Sequence, residues 1–356
     1  MPRMPQPPGS GAPPSLGIGQ RPGEGVASVL GTERDLGAPV TAVLDATGTF
    51  AFATGEGQAV FAVGNLSEAV IARAHDGAIL SAAITPSGLL TGGDDGRLVL
   101  TTTNGETREH WKSPQRRWVD QVAARTDGTL AWTSGKSAFV TEAGDTRELA
   151  LPTAAGGLAF APRSNRLAIA HYGGVTIWNI DPGDDTTQLY EWKGSHLETH
   201  WSPDEKYIVT AMQEGAIHGW RLADSNDFAM RGYPGKPRSL SFSRKGDWLA
   251  TSGAFEAVLW PFVGKGPMGK APDQLAHRTH MVSAVAFHPL NPYVATGYQD
   301  GVVLLARQED RRELMIRKSG KGPVTGIAWS ADGKRLAYGT EDGLAGIVDF
   351  AGVGKV

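Results

Sequence analysis

The stretch His277–Ala306 reads HRTHMVSAVAFHPLNPYVATGYQDGVVLLA and decides the fold of the chain. Apolar residues alternate with others up to Val285 and Phe287, and a Pro-Leu-Asn turn follows them. A second apolar run starts at Tyr293, and a third follows the tight Gln-Asp-Gly turn that ends at Gly301. Because helical periodicity is missing and the alternation has a period of two, the stretch predicts three short β-strands joined by turns.

The same pattern returns in Gly322–Phe350 and recurs along the whole chain. The turn residues between the first two strands of successive repeats are Gly48, Gly88, Gly128, Asn165, Glu205, Gly246, Asn291 and Gly333. They are spaced about 40 residues apart, which is the length of a four-stranded propeller blade. One blade cannot bury both faces of its sheet, whereas blades in a ring cover one another. The sequence therefore predicts an all-β protein, a β-propeller of eight four-stranded antiparallel blades, with seven blades as the alternative.

Four residue types recur at fixed places in these repeats: a His before the first strand, a Thr in the second, an Asp in the following turn and a Trp ending the third. The matching residues are His75, Thr91, Asp95, Trp178, Trp220, Trp260, His277, Thr296, Asp300 and Asp342. With this pattern, residues 26–350 resemble the WD40-repeat family. The resemblance implies a hydrogen-bonded network of these side chains within a repeat, although no repeat has all four.

The resemblance also implies how the ring closes. WD40-like rings use an N-terminal strand to complete the last blade, and the last repeat here has only three strands of its own. We therefore expect residues near 26–32 to supply the missing strand. Residues 1–25 are rich in Pro and Gly, which predicts a disordered tail, and residues 351–356 form a short C-terminal tail. The remaining residues, 26–350, are expected to form a single propeller domain.

Composition restricts the class of function. The formal net charge is −3, so bulk electrostatics do not favour nucleic acid or an anionic membrane, and we expect neither as a partner. The chain has no cysteine, which excludes disulfides and thiolate sites. The early residues contain neither the apolar run of a signal peptide nor that of a membrane span, so a cytoplasmic location is the expectation. No cofactor is expected.

Blade five contains the most suggestive polar cluster, which consists of His196, Glu198 and His200. Alternate residues of a strand point to the same side, so two imidazoles and a carboxylate could converge and bind zinc or iron. The other interpretation is a hydrogen-bonded structural pair of histidines, because blade faces pack against their neighbours. No local catalytic motif was found, so the chain is not expected to be an enzyme.

A protein-binding face is the favoured site. The WD40 resemblance implies that peptides dock on the face formed by the loops before the inner strands and by the turns between second and third strands. The candidate residues on this face are Asp94, Trp118, Lys236, Met281, Gln299 and Glu341. Trp118 follows Arg116 and Arg117, a mixture suited to an acidic or aromatic partner, although packing between blades is the alternative for its ring.

These observations predict a cytoplasmic, non-catalytic protein-interaction scaffold, with a monomer as the default state. The alternative is a propeller enzyme or metal-binding protein with a site near His196, Glu198 and His200.

Overall fold

The computed structural model describes residues 26–351, without the side chains of Ser28 and Val29. Thirty-one strands form eight antiparallel sheets. Helical structure in this part of the chain is limited to α1 (Ala27–Leu30) and a 3-10 turn at Leu66–Glu68. The tail predicted at residues 1–25 lies outside the described residues, and so does the tail predicted at residues 351–356, apart from Ala351.

The first half of the chain contains one separate strand and four blades. The separate strand is β1 (Gly31–Asp35). Blade one contains β2 (Val40–Ala46), β3 (Thr49–Thr54), β4 (Gln58–Ala62) and β5 (Val70–Arg73). Blade two contains β6 (Ile79–Thr85), β7 (Gly88–Gly93), β8 (Arg97–Thr101) and β9 (Thr107–Lys112). Blade three contains β10 (Val119–Ala124), β11 (Leu130–Ser134), β12 (Ser137–Glu142) and β13 (Asp145–Ala150). Blade four contains β14 (Ala155–Phe160), β15 (Arg166–Asn179) and β16 (Thr187–Ser195).

The second half forms the other four blades. Blade five contains β17 (His200–Trp201), β18 (Tyr207–Ala211), β19 (Ile217–Arg221) and β20 (Asn226–Met230). Blade six contains β21 (Leu240–Phe242), β22 (Trp248–Thr251), β23 (Ala257–Pro261) and β24 (Asp273–Leu275). Blade seven contains β25 (Val282–Phe287), β26 (Tyr293–Tyr298), β27 (Val303–Arg307) and β28 (Glu313–Arg317). Blade eight contains β29 (Val324–Trp329), β30 (Arg335–Thr340) and β31 (Leu344–Asp349).

The predicted number of blades is confirmed. Each of the eight turn residues used to count the repeats lies between the first and second strands of a different blade, or at the start of the second. The eight sheets thus correspond one to one with the eight repeats, and the seven-bladed alternative is wrong.

Blade four differs in having its second and third strands joined into one long element, β15. Its first half pairs with β14, as in Ala168 opposite Ala159, and its second half pairs with β16, as in Val175 opposite Tyr190. The chain reverses at Gly173, whose φ of +97° suits glycine. Since both halves run antiparallel through this turn, the blade keeps the four-stranded plan.

The apolar core is divided into eight clusters, one at each interface between neighbouring blades. Strand β3 shows how the sequence builds them. Phe50 and Phe52 pack against blade eight, whereas Ala51 and Ala53 pack against blade two. Alternate residues of the strand therefore pack against different neighbouring blades, because both faces of an inner blade strand are buried.

Ring closure by an N-terminal strand is confirmed, with a shift in position. Strand β1 pairs antiparallel with β31, from Gly31 opposite Val348 to Asp35 opposite Leu344. The strand therefore begins later than the predicted residues 26–32. Residues 27–30 form α1 instead, and the Val26 N–H donates to Met315 O of blade seven at 3.0 Å.

Side chains fasten the closing strand to three blades. Glu33 Oε1 accepts hydrogen bonds from the Tyr338 hydroxyl of blade eight at 2.6 Å and from Arg317 Nε of blade seven at 2.9 Å. Thr32 Oγ1 donates to Gly64 O of blade one at 3.3 Å and accepts from the Leu66 N–H at 3.1 Å. Burial is the main cause that raises the pKa of Tyr338, and the Glu33 carboxylate adds to it. The hydroxyl therefore stays protonated and able to donate.

The two faces of the ring differ in their loops. The loops leading into the inner strands, such as 113–118 and 276–281, and the turns between second and third strands, such as 94–96 and 299–301, share one face, which we call the upper face. Backbone bonds join them, as between the Ser113 N–H and Gly96 O at 2.8 Å. The opposite, lower face contains the remaining turns, because consecutive strands are antiparallel.

Removing residues 1–36 should lower the melting temperature by roughly 10 °C or more, because blade eight loses its fourth strand and the Glu33 hydrogen bonds. Removing residues 1–20 should change it little, since this deletion leaves β1 in place. Thermal unfolding followed by circular dichroism measures both. Equal effects of the two deletions would contradict a stabilising role for β1.

Candidate functional site

A central cavity of about 1240 Å³ runs between the inner strands of all eight blades. Small hydroxyl side chains line part of it, including Thr41, Ser81, Ser239, Ser241, Ser283 and Thr325. Charged or imidazole groups are contributed by Glu198, His200, Lys236, Arg238 and Glu341. Apolar side chains such as Val43, Val285 and Ile327 line the rest, so the channel wall is mixed and can meet both polar and apolar groups.

The structure brings four of the six predicted partner-binding residues to this channel. Lys236, Met281, Gln299 and Glu341 all line it and belong to the upper-face loops and turns of blades six to eight. The Gln299 N–H donates to Met281 O at 3.0 Å, which fixes the turn of blade seven against the loop that precedes it. These residues form a continuous sector at the upper mouth of the channel.

The other two predicted residues lie elsewhere on the upper face. Trp118 is 57% exposed, in the loop leading into blade three. The Asp94 carboxylate packs against Gly77, in the loop leading into blade two. The exposure of Trp118 favours surface contact over packing between blades as the role of its ring.

The blade-five cluster separates into two parts. His200 Nε2 lies 3.2 Å from Glu198 Oε2, and both residues line the channel. His196 is buried, with Nδ1 2.7 Å from Thr210 Oγ1 and Nε2 3.0 Å from Trp192 O. Both of its nitrogens thus have protein partners. Within residues 26–351, no group of three His, Cys, Asp or Glu side chains is arranged to hold a metal.

His200 occupies a position that is small in other blades. It pairs with Val209, whereas the corresponding pairs are Ala286 with Ala295 and Ala328 with Ala337. Aligning the repeats in the sequence already shows a histidine in blade five where blades seven and eight have alanine. The channel therefore receives an imidazole from blade five at the strand position where blade seven contributes the methyl group of Ala286.

The network implied by the WD40 resemblance forms in blade two. His75 Nδ1 lies 2.9 Å from Asp95 Oδ1, and His75 Nε2 lies 2.8 Å from Thr91 Oγ1. Thr91 Oγ1 also donates to Val99 O at 3.2 Å. The network joins the loop before the inner strand to the second and third strands, so it is a structural device rather than a ligand site.

Blade seven uses the same motif differently. His277 Nδ1 lies 2.8 Å from Glu256 Oε2 of blade six, and its side chain is exposed. The Tyr298 hydroxyl instead contacts Thr296 at 3.4 Å and donates to Ala276 O. The imidazole that lies near Asp300 is that of His280 instead of His277, with its Nδ1 3.4 Å from Asp300 Oδ2.

A single backbone position explains the difference between these two blades. Gly93 of blade two, opposite Ile79, leaves room for the His75 ring, and a Cβ atom there would collide with Nδ1. Tyr298 of blade seven is the corresponding residue, opposite Val282, and its own side chain is fully buried. The tyrosine takes the place that the histidine fills in blade two.

The motif tryptophans have individual partners. Trp260 Nε1 donates to the Tyr233 hydroxyl at 2.6 Å, and this hydroxyl lies 2.8 Å from Thr251 Oγ1. Burial raises the pKa of Tyr233 to about 12, so the hydroxyl stays neutral. Tyr233 replaces the motif histidine in blade six. Sequence reasoning missed it, although a tyrosine before the inner strand, with Thr251 and Trp260 following, is the signal that could have found it.

The remaining motif residues are also placed by contacts within or between blades. Trp178 Nε1 donates to Asp185 Oδ1 at 3.3 Å, in the acidic loop of blade four. The Trp220 ring packs edge-on against His218, with centroids 4.7 Å apart. Asp342 lies with its carboxylate against Gly322, in the loop leading into blade eight.

Comparison with known proteins gives one matching family model, relatives of low identity and a similar fold. The family model described as the anaphase-promoting complex subunit 4 WD40 domain matches residues 285–354. The periodic tryptophan protein 2 homolog of Dictyostelium discoideum is 24% identical over 206 residues, covering 56% of this chain and 22% of that protein. The WD repeat-containing protein SL1-17 of Schistosoma mansoni is 26% identical over 170 residues, covering 44% and 55%.

A human relative and a solved structure add to this picture. The human LLGL scribble cell polarity complex component 2 is 23% identical over 228 residues, covering 56% of this chain and 22% of that protein. The chain thus spans about a fifth of the length of this relative and of the Dictyostelium one. The crystal structure of the computationally designed Ika8 protein matches with a TM-score of 0.74 and 14% identity, covering 89% of this chain and 98% of that one. At this identity the likeness concerns the fold alone.

In the part of the chain from residue 26 to 351, no helix has the length and apolar character needed to cross a membrane.

Replacing His196 by Ala should destabilise the fold by about 1–3 kcal/mol, because the change leaves buried partners of its two hydrogen bonds unpaired. Replacing His200 by Ala should have little effect, since its side chain is partly exposed in the channel. Urea unfolding of the two variants measures the difference. A larger loss at His200 would contradict the structural assignment of His196.

Acid should destabilise the blade-five interface through His218. This ring is fully buried, and burial together with the nearby His196 and Arg231 lowers its pKa from 6.5 to about 3. Neither nitrogen has a hydrogen-bond partner in residues 26–351, and Nε2 lies 3.5 Å from Asp227 Oδ2. As the pH falls from about 6.5 towards 3, the unfolded chain binds a proton that the folded chain does not, so stability is lost over this window.

The free energy of unfolding should therefore depend less steeply on pH between 6.5 and 3 in a His218→Phe variant than in the wild type. The expected difference in slope approaches about 1.4 kcal/mol per pH unit, which corresponds to one proton. Urea unfolding at a series of pH values measures it. His200→Gln is the matched control, and parallel curves for wild type and His218→Phe would refute the effect.

Proposed function

We propose that this chain, a WD40-repeat β-propeller, is a cytoplasmic, non-catalytic scaffold that binds a peptide or loop of a partner protein on its upper face. The observation that supports this most is the sector at the channel mouth, where Lys236, Met281, Gln299 and Glu341 lie together. The sequence patterns that predict these four residues belong to three different repeats.

The composition of this sector suits protein recognition. Met281 offers a flexible apolar side chain that packs on Gly235, and Lys236 and Glu341 offer charges of opposite sign. The loops project from a ring of eight packed blades, so little conformational entropy is lost on binding. A rigid display of loops on a closed ring is the proposed mechanism.

The names of two matched proteins agree with such a role. One is described as a subunit of the anaphase-promoting complex and the other as a component of a cell polarity complex. These descriptions apply to the matched proteins themselves. For this chain, assembly with a partner protein, the monomeric state and the absence of nucleic-acid and membrane partners are proposals.

An enzyme or metal-binding protein centred on blade five is the second candidate, because Glu198 and His200 line the central channel. With His196 committed to Thr210 and Trp192, the cluster offers two ligands, fewer than the three that catalytic zinc sites use. Elemental analysis of protein from metal-supplemented cells tests this candidate, and stoichiometric zinc or iron would favour it over the scaffold.

Affinity purification from the native cell, followed by mass spectrometry, should recover a stoichiometric partner with the wild-type chain. Met281→Ala and Trp118→Ala, both on the upper face, should each be compared with Leu290→Ala, an exposed residue on the lower face. At least one upper-face variant should reduce capture by about tenfold or more, as expected for loss of an anchor side chain.

The melting temperatures of all three variants should stay close to that of the wild type, so that lost capture reports contact rather than unfolding. Recovery of no partner, or equal loss in the lower-face control, would contradict the proposed function.

A further inference from the structure

Three neighbouring blades expose large apolar side chains on the upper face. Leu80 of blade two is 39% exposed, Trp118 of blade three 57% and Tyr172 of blade four 51%. Leu80 lies in the inner strand of its blade, Trp118 in the loop leading into the next, and Tyr172 in the turn between second and third strands. Exposed aromatic and apolar residues on adjacent elements are typical of interaction surfaces.

The backbone that presents Trp118 is well fixed. The Arg116 N–H donates to Ser113 O at 3.1 Å, and the Arg117 N–H donates to Ser113 Oγ at 3.0 Å. The Ser113 N–H in turn donates to Gly96 O at 2.8 Å, which joins this loop to the turn of blade two. The exposed indole therefore extends from an ordered loop, and its binding would cost little backbone entropy.

The turn that presents Tyr172 is also held in place. The Tyr172 N–H donates to Thr153 Oγ1 at 3.1 Å, and Tyr172 O lies 3.0 Å from Nδ1 of the buried His171. Both anchoring contacts involve backbone atoms of Tyr172, which leaves the phenol ring free to contact a ligand.

Three exposed cations accompany these rings, namely Arg116, Arg117 and Lys136. Among residues 26–351, no carboxylate oxygen lies within 4.0 Å of a charged nitrogen of these three side chains. Carboxylates of the neighbouring turns and strands have other contacts. Asp94 packs against Gly77, and Asp120 is half-buried and accepts a backbone hydrogen bond from Gly135.

Two cations of the closing region on the upper face are already paired. Lys321 Nζ lies 2.9 Å from Asp35 Oδ2, and Arg317 Nε lies 2.9 Å from Glu33 Oε1. Blade three thus presents free positive charge next to an exposed indole. Guanidinium groups bind carboxylates with two parallel hydrogen bonds, so carboxylates are the complementary chemistry.

We propose that Leu80, Arg116, Arg117, Trp118, Lys136 and Tyr172 form a docking surface for an acidic peptide segment of a partner protein. The carboxylates of the segment bind the three cations, and an aromatic or aliphatic side chain between them packs on Trp118 and Tyr172. This inference rests on the proposed scaffold function and adds a second contact region on the upper face, with the chemistry of the partner segment that it would bind. It places the contact on blades two to four, apart from the channel-mouth sector of blades six to eight.

The test uses the full chain and two sets of fluorescein-labelled synthetic peptides, with binding measured by fluorescence polarisation. In the first set, a central Phe, Trp or Leu is flanked by Asp and Glu, and in the second set Lys replaces every acid. The acidic set should bind and the basic set should not. Added salt should weaken the binding, because exposed charges are screened.

Two variants locate the site. Trp118→Ala and the double variant Arg116→Glu/Arg117→Glu should each weaken acidic-peptide binding by about tenfold or more, as expected for residues that anchor an interface. Arg244→Glu/Lys245→Glu is the matched control, because it reverses an exposed pair of adjacent cations on the lower face. The control should keep wild-type affinity, and thermal unfolding should show that all variants are folded.

Three outcomes would overturn the inference: no binding by the acidic set, equal binding by the two sets, or equal loss in the lower-face control. If Met281→Ala still abolishes capture of a cellular partner, such an outcome overturns this docking surface and leaves the scaffold function standing. If neither a peptide nor a cellular partner binds, both proposals fail.

Discussion

The pairing of β1 with β31 is the constraint on which the ring depends. Each blade has two apolar faces, and every face is covered by a neighbouring blade, which requires that blade eight meet blade one. Strand β1 completes blade eight, while Thr32 reaches blade one and Glu33 reaches blade seven. A few residues at one end of the domain thus hold three blades together. Without them, two large apolar surfaces and an unpaired strand edge would face water.

Much of this fold could be predicted because its signals are local and repeated. The turn residues lie about 40 residues apart, and their number predicts the number of blades. The period-two alternation of strands such as β3 predicts that both faces of the strand are buried. The closing strand was misplaced by a few residues, because residues 26–36 contain no clear alternation. The residue pattern also does not predict that β15 continues through a reversal at Gly173, where φ is +97°. Such details depend on backbone angles rather than on residue pattern.

The contacts at the candidate sites were harder to predict from the sequence than the fold. The His75 network was predictable, whereas His277 lies elsewhere because Tyr298 fills the space that Gly93 leaves open. The sequence motif records which residues are present, and a buried residue on the next strand decides whether they can meet. Selecting exposed residues was more successful, since Trp118 does lie at the surface. Tyr172, which extends this surface into blade four, was missed because the turn that exposes it belongs to the unrecognised β15.

The hydrogen bonds of Glu33 join residues that are 284 and 305 positions apart in the chain. During synthesis, β1 leaves the ribosome long before β31 is made. The closing strand therefore remains unpaired while the first seven blades are synthesised. The first blade meanwhile exposes the apolar face that Ala337 and Ile347 will later cover. Until translation has passed residue 349, a nascent chain therefore has an open ring with an exposed apolar blade face at each end. Any condition that slows translation of the last blade prolongs this period, in which the chain is most exposed to aggregation and most dependent on chaperones.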